Sequence, residues 1–353
     1  MSYPSLGPVA LLGSGETSPA GGRLFETVAQ RLPQPLRIAI LETPAGFELN
    51  SAQVAGRIGD YLQTRLQNYT PQITIIPARK RGLTESPDNP DILKPLKDAN
   101  LIFMGPGSPT YAIRQLQNSL AWDILRARHR QGTALVFASA AVIAVAAWAL
   151  PVYEIFKAGQ DVHTVPGLNL FADYGLPLSL LPHWNNTDGG ADVDTSRCFV
   201  GKERFSHWRS LLPAGQYILG LDEHTGALLD FKTRQCTVSG VGSVTLLRGD
   251  QADIFPAGTS FPLDALGILH LPETAETGLS DAALDFLRLS ADPQPALLPP
   301  AEVLTLAETR QQARLRKDWA TADHLRTQIA ALGWMVQDTP TGPKLTRIVP
   351  PKG

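Results

Sequence analysis

Thr133–Tyr153 reads TALVFASAAVIAVAAWALPVY, without one charged side chain. Length and apolarity alone would make it a membrane span. Ser139 in its middle, Pro151 near its end and the abundance of small alanines point elsewhere. The stretch reads as a buried strand, a tight turn at Ser139 and a buried helix.

Working back toward the N-terminus, short apolar runs recur. They are Val9–Leu12, Leu36–Leu41, Ile73–Ile76 and Ala99–Met104, with Ala134–Phe137 as the fifth. Helical patterns near 25–31 and 52–66 lie between them. Continuous Val/Ile/Leu runs alternating with helices imply parallel strands covered on both faces. The expected fold class is therefore α/β, an open doubly wound, mainly parallel sheet. Such sheets place their sites at the carboxyl ends of the strands. Working forward, 178–247 carries short strands and short turns, expected to complete the same sheet with antiparallel strands. The stretch 251–303 is rich in proline (Pro256, Pro262, Pro272, Pro293, Pro295, Pro299, Pro300) and reads as a linker with one helix near 281–287. The domain expectation is thus 1–250 for the α/β domain, 251–303 for the linker and 304–353 for a small module. In that module Leu315, Trp319, Ala322, Leu325, Ile329 and Leu332 form one helical stripe. A hairpin follows around Asp338–Gly342.

Composition narrows the function. A formal net charge of -2 gives no whole-chain attraction to nucleic acid, membrane or acidic substrate. Cys198 and Cys236, far apart, support neither a disulfide framework nor a zinc site, and a reducing compartment fits. No basic-then-apolar leader opens the sequence, so a cytoplasmic location is expected. Asp192 and Asp194 lie in a Gly-rich acidic loop without clustered His or Cys. No metal and no cofactor are expected.

The chemistry centres on Ser139. A serine between an apolar strand and an apolar helix is lifted above the sheet edge, and the Ala140 amide can donate to an oxyanion. Gly105-Pro106-Gly107-Ser108 ends the neighbouring strand, making the Gly107 amide the second donor. A serine needs a base. His183, ending the strand Leu178–Leu181, is best placed; His224 is the alternative. Glu223 is the carboxylate that would orient the imidazole. Asn185, Asn186 and Arg197 read equally well as substrate ligands or as a loop held by its own hydrogen bonds.

The motifs Gly13-Ser14-Gly15-Glu16, Gly105-Pro106-Gly107-Ser108, Ser139 with small neighbours, Pro182-His183-Trp184 and Gly220-Leu221-Asp222-Glu223 together resemble the cyanophycinase and aspartyl dipeptidase group of serine peptidases. The resemblance runs over about residues 9–248. It implies a class I glutamine amidotransferase-like fold, Ser139 as nucleophile, His183 as base and Glu223 as orienting acid. Glu16 and Ser108, in the first two of those motifs, are also expected among the substrate-binding positions. The implied reaction is hydrolysis of an amide or peptide bond in a small substrate, aspartyl and isopeptide bonds included. The group's turn reads Gly-x-Ser-Ala-Gly; here Phe137 and Ala141 replace both glycines, and Trp184 replaces the usual phenylalanine. Those departures motivate the alternative, a catalytically impaired member used for binding.

Arg310–Asp323, with Arg326, Gly333 and Asp338, is similar to the C-terminal region of cysteinyl-tRNA synthetases. The resemblance implies a weak, salt-sensitive RNA contact through Arg310, Arg314, Arg316, Lys317, Arg326 and Trp319. The other reading is a helical module with Trp319 in its core. The HIGH and KMSKS signatures of a synthetase catalytic domain are absent from this sequence.

Overall fold

The computed structural model describes residues 6–274, 276–288, 300–339 and 342–347. These form two compact units, divided at 288/289. The first unit runs β1 (Val9–Leu12), α1 (Pro19–Ala29), β2 (Arg37–Leu41), α2 (Ser51–Arg65), β3 (Gln72–Ile76), α3 (Pro90–Leu93), β4 (Leu101–Met104), α4 (Pro109–Leu116), α5 (Leu120–Arg130), β5 (Ala134–Ala138) and α6 (Ala140–Ala144). It continues through β6 (Trp148–Ala149), α7 (Val152–Phe156), β7 (Val165–Pro166), β8 (Leu178–Leu181), α8 (Gly201–Ser210), β9 (Tyr217–Leu221), β10 (Thr225–Asp230), β11 (Gln235–Gly240), β12 (Ser243–Arg248), β13 (Gln251–Pro256), β14 (Ser260–Pro262) and α9 (Asp281–Arg288).

The main sheet has the order β14-β11-β10-β1-β5-β4-β2-β3. Its pairings from β1 through β5, β4 and β2 to β3 are parallel, and those from β1 outward to β14 are antiparallel. Side chains alternate across it with period two. Leu11, Met104 and Phe137 enter one apolar cluster, whereas Leu12, Phe103 and Val136 enter the other. Leu24, Phe25, Ile58 and Leu62 of α1 and α2 cover the second face; Ala112, Leu125 and Ile143 of α4, α5 and α6 belong to the first. The doubly wound α/β reading is the fold observed.

Three expectations are corrected. The later strands do not all extend one sheet: β13-β12-β9-β8 is a separate four-stranded sheet, with β8 and β9 parallel. Only β10, β11 and β14 join the main one. The cause lies in chain connection, which a strand pattern does not encode.

The proline-rich stretch is not a linker up to Arg288. β13 pairs with β12, β14 pairs with β11, and Ala283 and Phe286 of α9 are buried. Pro256 and Pro262 end their strands at sheet edges, where no ladder hydrogen bond is lost. Residues 289–299, which hold Pro293, Pro295 and Pro299, lie outside the described residues.

The second unit contains α10 (Ala301–Leu315), α11 (Trp319–Ala331) and a hairpin of β15 (Trp334–Thr339) and β16 (Gly342–Arg347). The single stripe is the third correction. The helix breaks at Arg316–Asp318, with Lys317 left-handed at φ 60° and Asp318 capping α11 through the Thr321 amide. Leu315, Trp319 and Leu332 are exposed; the core is Val303, Ala307, Ile329, Trp334 and Val336. Hairpin residues 340 and 341 lie outside the described residues.

The uncharged stretch 133–153 divides into β5, the turn at Ser139, the short α6 and β6, all packed inside the first unit. Among the described residues no helix is long and apolar enough to cross a membrane.

Candidate active site

Ser139 sits between β5 and α6 with φ 51° and ψ −117°. Few non-glycine residues adopt that region, at a cost of about 1–3 kcal/mol when they do. The Ser139 amide donates to Leu12 O (3.2 Å) and its carbonyl accepts from the Val142 amide (2.9 Å), so both neighbours hold the turn. The lost glycines do no harm to this geometry. Phe137 turns wholly into the apolar cluster, and Ala141 is buried without a large side chain to accommodate.

His183 follows β8 and is itself left-handed, at φ 50°. Its amide donates to Gly13 O (3.2 Å), pinning the end of the four-stranded sheet to the end of β1. His183 Nε2 is 2.9 Å from Ser139 Oγ, and Nδ1 is 2.9 Å from Glu223 Oε1. With the proton on Nδ1 donated to the carboxylate, Nε2 is free to accept from the serine hydroxyl. Glu223 follows β9. The site thus spans two sheets: Ser139 comes from one, the imidazole and carboxylate from the other.

The two asparagines hold the acid. Asn186 Nδ2 donates to Glu223 Oε1 (2.9 Å), its Oδ1 accepts from the Asp188 amide (3.1 Å), and the residue is 1% exposed. Asn185 Oδ1 accepts from the Glu223 amide (2.8 Å). Of the two readings open for these residues, the loop held by its own bonds is the one observed. The same is true of Arg197. Its guanidinium lies over the Trp184 ring (3.9 Å) and donates to Trp184 O (2.9 Å). Burial pulls its pKa below the ordinary guanidinium value, against the opposing pull of Asp194 and Asp222. Trp184 in turn lies flat on Gly220, where a Cβ would fall 2.3 Å from the indole, so only glycine fits.

Gly107 has φ 142°, and a Cβ there would meet Pro44 O at 2.0 Å. The residue is buried against the Pro44 backbone, just past the end of β4. Ala140 opens α6, where the first amides have no acceptor within the helix. Ser108 is committed as the cap of α4: its Oγ accepts from the Tyr111 amide (3.2 Å) and pairs with Thr110 Oγ1 (3.1 Å). Glu16 is half-buried in the turn after β1. His224 packs on Gly15, with its amide donating to Ser14 Oγ (3.1 Å), and is not the imidazole paired with Ser139. Asp192–Asp194 is a turn: the Asp194 carboxylate accepts the Ser196 and Lys202 amides, and the Ser196 hydroxyl first, then those amides, hold it down at about 2.

Sequence reasoning missed Phe199. Its ring centroid is 5.2 Å from that of His183, and Phe156 lies 5.8 Å beyond it. The one signal was the polar and aromatic density of 151–157 and 183–198, which stops one residue short.

Residues 299–342 match the profile described as the cysteinyl-tRNA ligase anticodon binding domain. Curated relatives include the cysteine–tRNA ligases of Methanosarcina mazei (50% identical over 48 residues, 14% of this chain) and Chlamydia felis (45% identical over 49 residues, 14% of this chain). The match spans 10% of each ligase. Among solved structures, a peptidase from an acI-B1 Actinobacterium superposes with a TM-score of 0.58 at 22% identity, covering 73% of this chain and 97% of that one. The chain shares that protein's fold, and its tail is similar to a ligase module.

Proposed function

We propose that the first unit is a serine hydrolase cleaving an amide or peptide bond through Ser139, His183 and Glu223. The observation that carries this reading is the unbroken hydrogen-bond chain from Ser139 Oγ through both ring nitrogens of His183 to Glu223, at 2.9 Å per link. The strained backbone of Ser139 and the fold shared with a peptidase support it. Ser139 Oγ attacks the carbonyl carbon as His183 Nε2 takes its proton. The amides of Ala140 and Gly107 stabilise the oxyanion; one such donor contributes about 3–4 kcal/mol to the transition state. His183 returns the proton to the leaving nitrogen, and water then releases the acyl group. Glu223, held by Asn185 and Asn186, stabilises the imidazolium.

A fluorophosphonate probe tests the reading. Wild type should form a stoichiometric Ser139 adduct, which Ser139→Ala and His183→Ala should lack. An unlabelled wild type that equals Ser139→Ala on a peptide library would sink it and leave the binding-protein reading.

A second reading concerns the tail. Trp319 is 55% exposed, with the Arg314 guanidinium 5.5 Å from its ring centre. An open indole beside cations, among exposed Arg316, Lys317 and Arg326, suits base stacking and phosphate contact. Arg310 does not belong to that surface, being 3% exposed. Filter binding of tRNA should weaken steeply between 50 and 200 mM salt and be impaired by Trp319→Ala. No retention at low salt removes the RNA reading.

A further inference from the structure

The conformation of Phe199 has no local excuse. Arg197, Cys198 and Phe199 have φ of 58°, 61° and 68°, three consecutive non-glycine residues in the left-handed region. L-residues visit that region singly, not in runs. The run is tied to the proposed base, because the Cys198 amide donates to His183 O (3.1 Å) and the Phe199 amide to Thr195 O (2.9 Å). Its outcome is the Phe199 ring against the His183 ring. Beyond Phe199 stands Phe156, 38% exposed. Tyr153 is one helical turn earlier on α7 and 39% exposed, on the same side of the helix. An aromatic surface therefore begins at the imidazole with Phe199 and Phe156, and Tyr153, with Lys157 Nζ 5.6 Å from its ring centre, stands at its exposed end. Arg197, the one cation among the sequence's candidate substrate ligands, is engaged by Trp184.

In acyl transfer the imidazole hands its proton to the leaving nitrogen, so the leaving group sits beside the imidazole. We infer that Phe199, Phe156 and Tyr153 form an apolar shelf for the leaving half of the substrate, favouring an amine product that carries a large apolar or aromatic side chain. The inference rests on the serine hydrolase reading and assigns that site a substrate class.

The test uses the full chain and a dipeptide series in which only the leaving residue varies among Phe, Leu, Asp, Lys and Gly, with fluorophosphonate labelling run in parallel. Phenylalanine as leaving residue should exceed glycine in kcat/KM by about tenfold or more, leucine should be close to phenylalanine, and aspartate and lysine should fall with glycine. Phe156→Ala should lower the Phe/Gly ratio about tenfold, whereas Phe156→Leu, which keeps apolar bulk, should retain most of it. Because the readout is a ratio within one protein, partial misfolding does not mimic it. A labelled enzyme that ranks aspartate or lysine first, or whose ratio survives Phe156→Ala, overturns the shelf and leaves the hydrolase standing. A wild type that does not label overturns both.

Discussion

In the first unit two apolar clusters flank the main sheet, and around them Ser139, His183 and Arg197–Phe199 all hold left-handed backbone. In the second, a core of Val303, Ala307, Ile329, Trp334 and Val336 supports one such non-glycine residue among those described, Lys317, in the turn between its helices. The contrast is physical. Each residue held there costs about 1–3 kcal/mol and persists only where surrounding packing over-determines it. A large core can hold several at one site; a small one cannot. In the first unit five such residues gather where an imidazole must be aimed, while Thr70, Asn118, Asn169, His224 and Arg234 share that backbone at other positions; in the second, Lys317 only turns the chain.

The largest test of that contrast is Glu223→Gln. If the strained turns serve to aim and charge His183, the neutral amide should lower kcat by about 10⁴ with the fold intact, read by steady-state kinetics and circular dichroism. A loss under tenfold would separate strain from function.

Trp334→Ala probes the other side. Removing a large buried side chain costs about 3–5 kcal/mol, more than so small a core can spare. Calorimetry should lose the second unit's transition, with the first unit's transition and the Ser139 labelling rate unchanged. A matching shift in the first would show that the units do not fold separately.

Acid should discriminate the units next. His129, fully buried between Gly7 O and the Tyr174 hydroxyl (2.7 Å each), has its pKa lowered by burial from 6.5 to about 4. The unfolded chain takes up that proton first. The stabilisation is complete above pH 6.5, weakens as pH falls below it and is fully lost near pH 4. At pH 5 the loss is about 2 kcal/mol. The first unit's melting temperature should fall between pH 7 and pH 5, and His129→Gln should flatten that slope.

The smallest effect is at the elbow itself. Ser139→Gly should be more stable than Ser139→Ala by about 1 kcal/mol, because glycine adopts φ 51° freely and alanine does not. Equal chemical-denaturation midpoints would mean that the turn stores no strain.

Much of this was legible in the sequence. Continuous apolar runs specify the parallel half of the sheet, because a strand buried on both faces must be apolar throughout. Ser139 was legible because a hydroxyl stands alone in an apolar strand-to-helix stretch. His183 and Glu223 were legible as polar residues just past strands. The proline-rich stretch was misread because proline content does not distinguish a linker from edge strands that end in proline. Phe199 was invisible, since nothing in Arg197-Cys198-Phe199 announces a left-handed run.

Local pattern alone determined the parallel strands of the main sheet, the helices between them and which side chains stand at their ends, since periodicity and turn chemistry act over a few residues. Only the tertiary structure decided that β8 and β9 form a separate sheet, that Asn185, Asn186 and Arg197 are tied to neighbouring residues, and that an aromatic surface meets the imidazole. Those outcomes depend on contacts between residues far apart in the chain, and on a core large enough to hold unfavourable backbone in place.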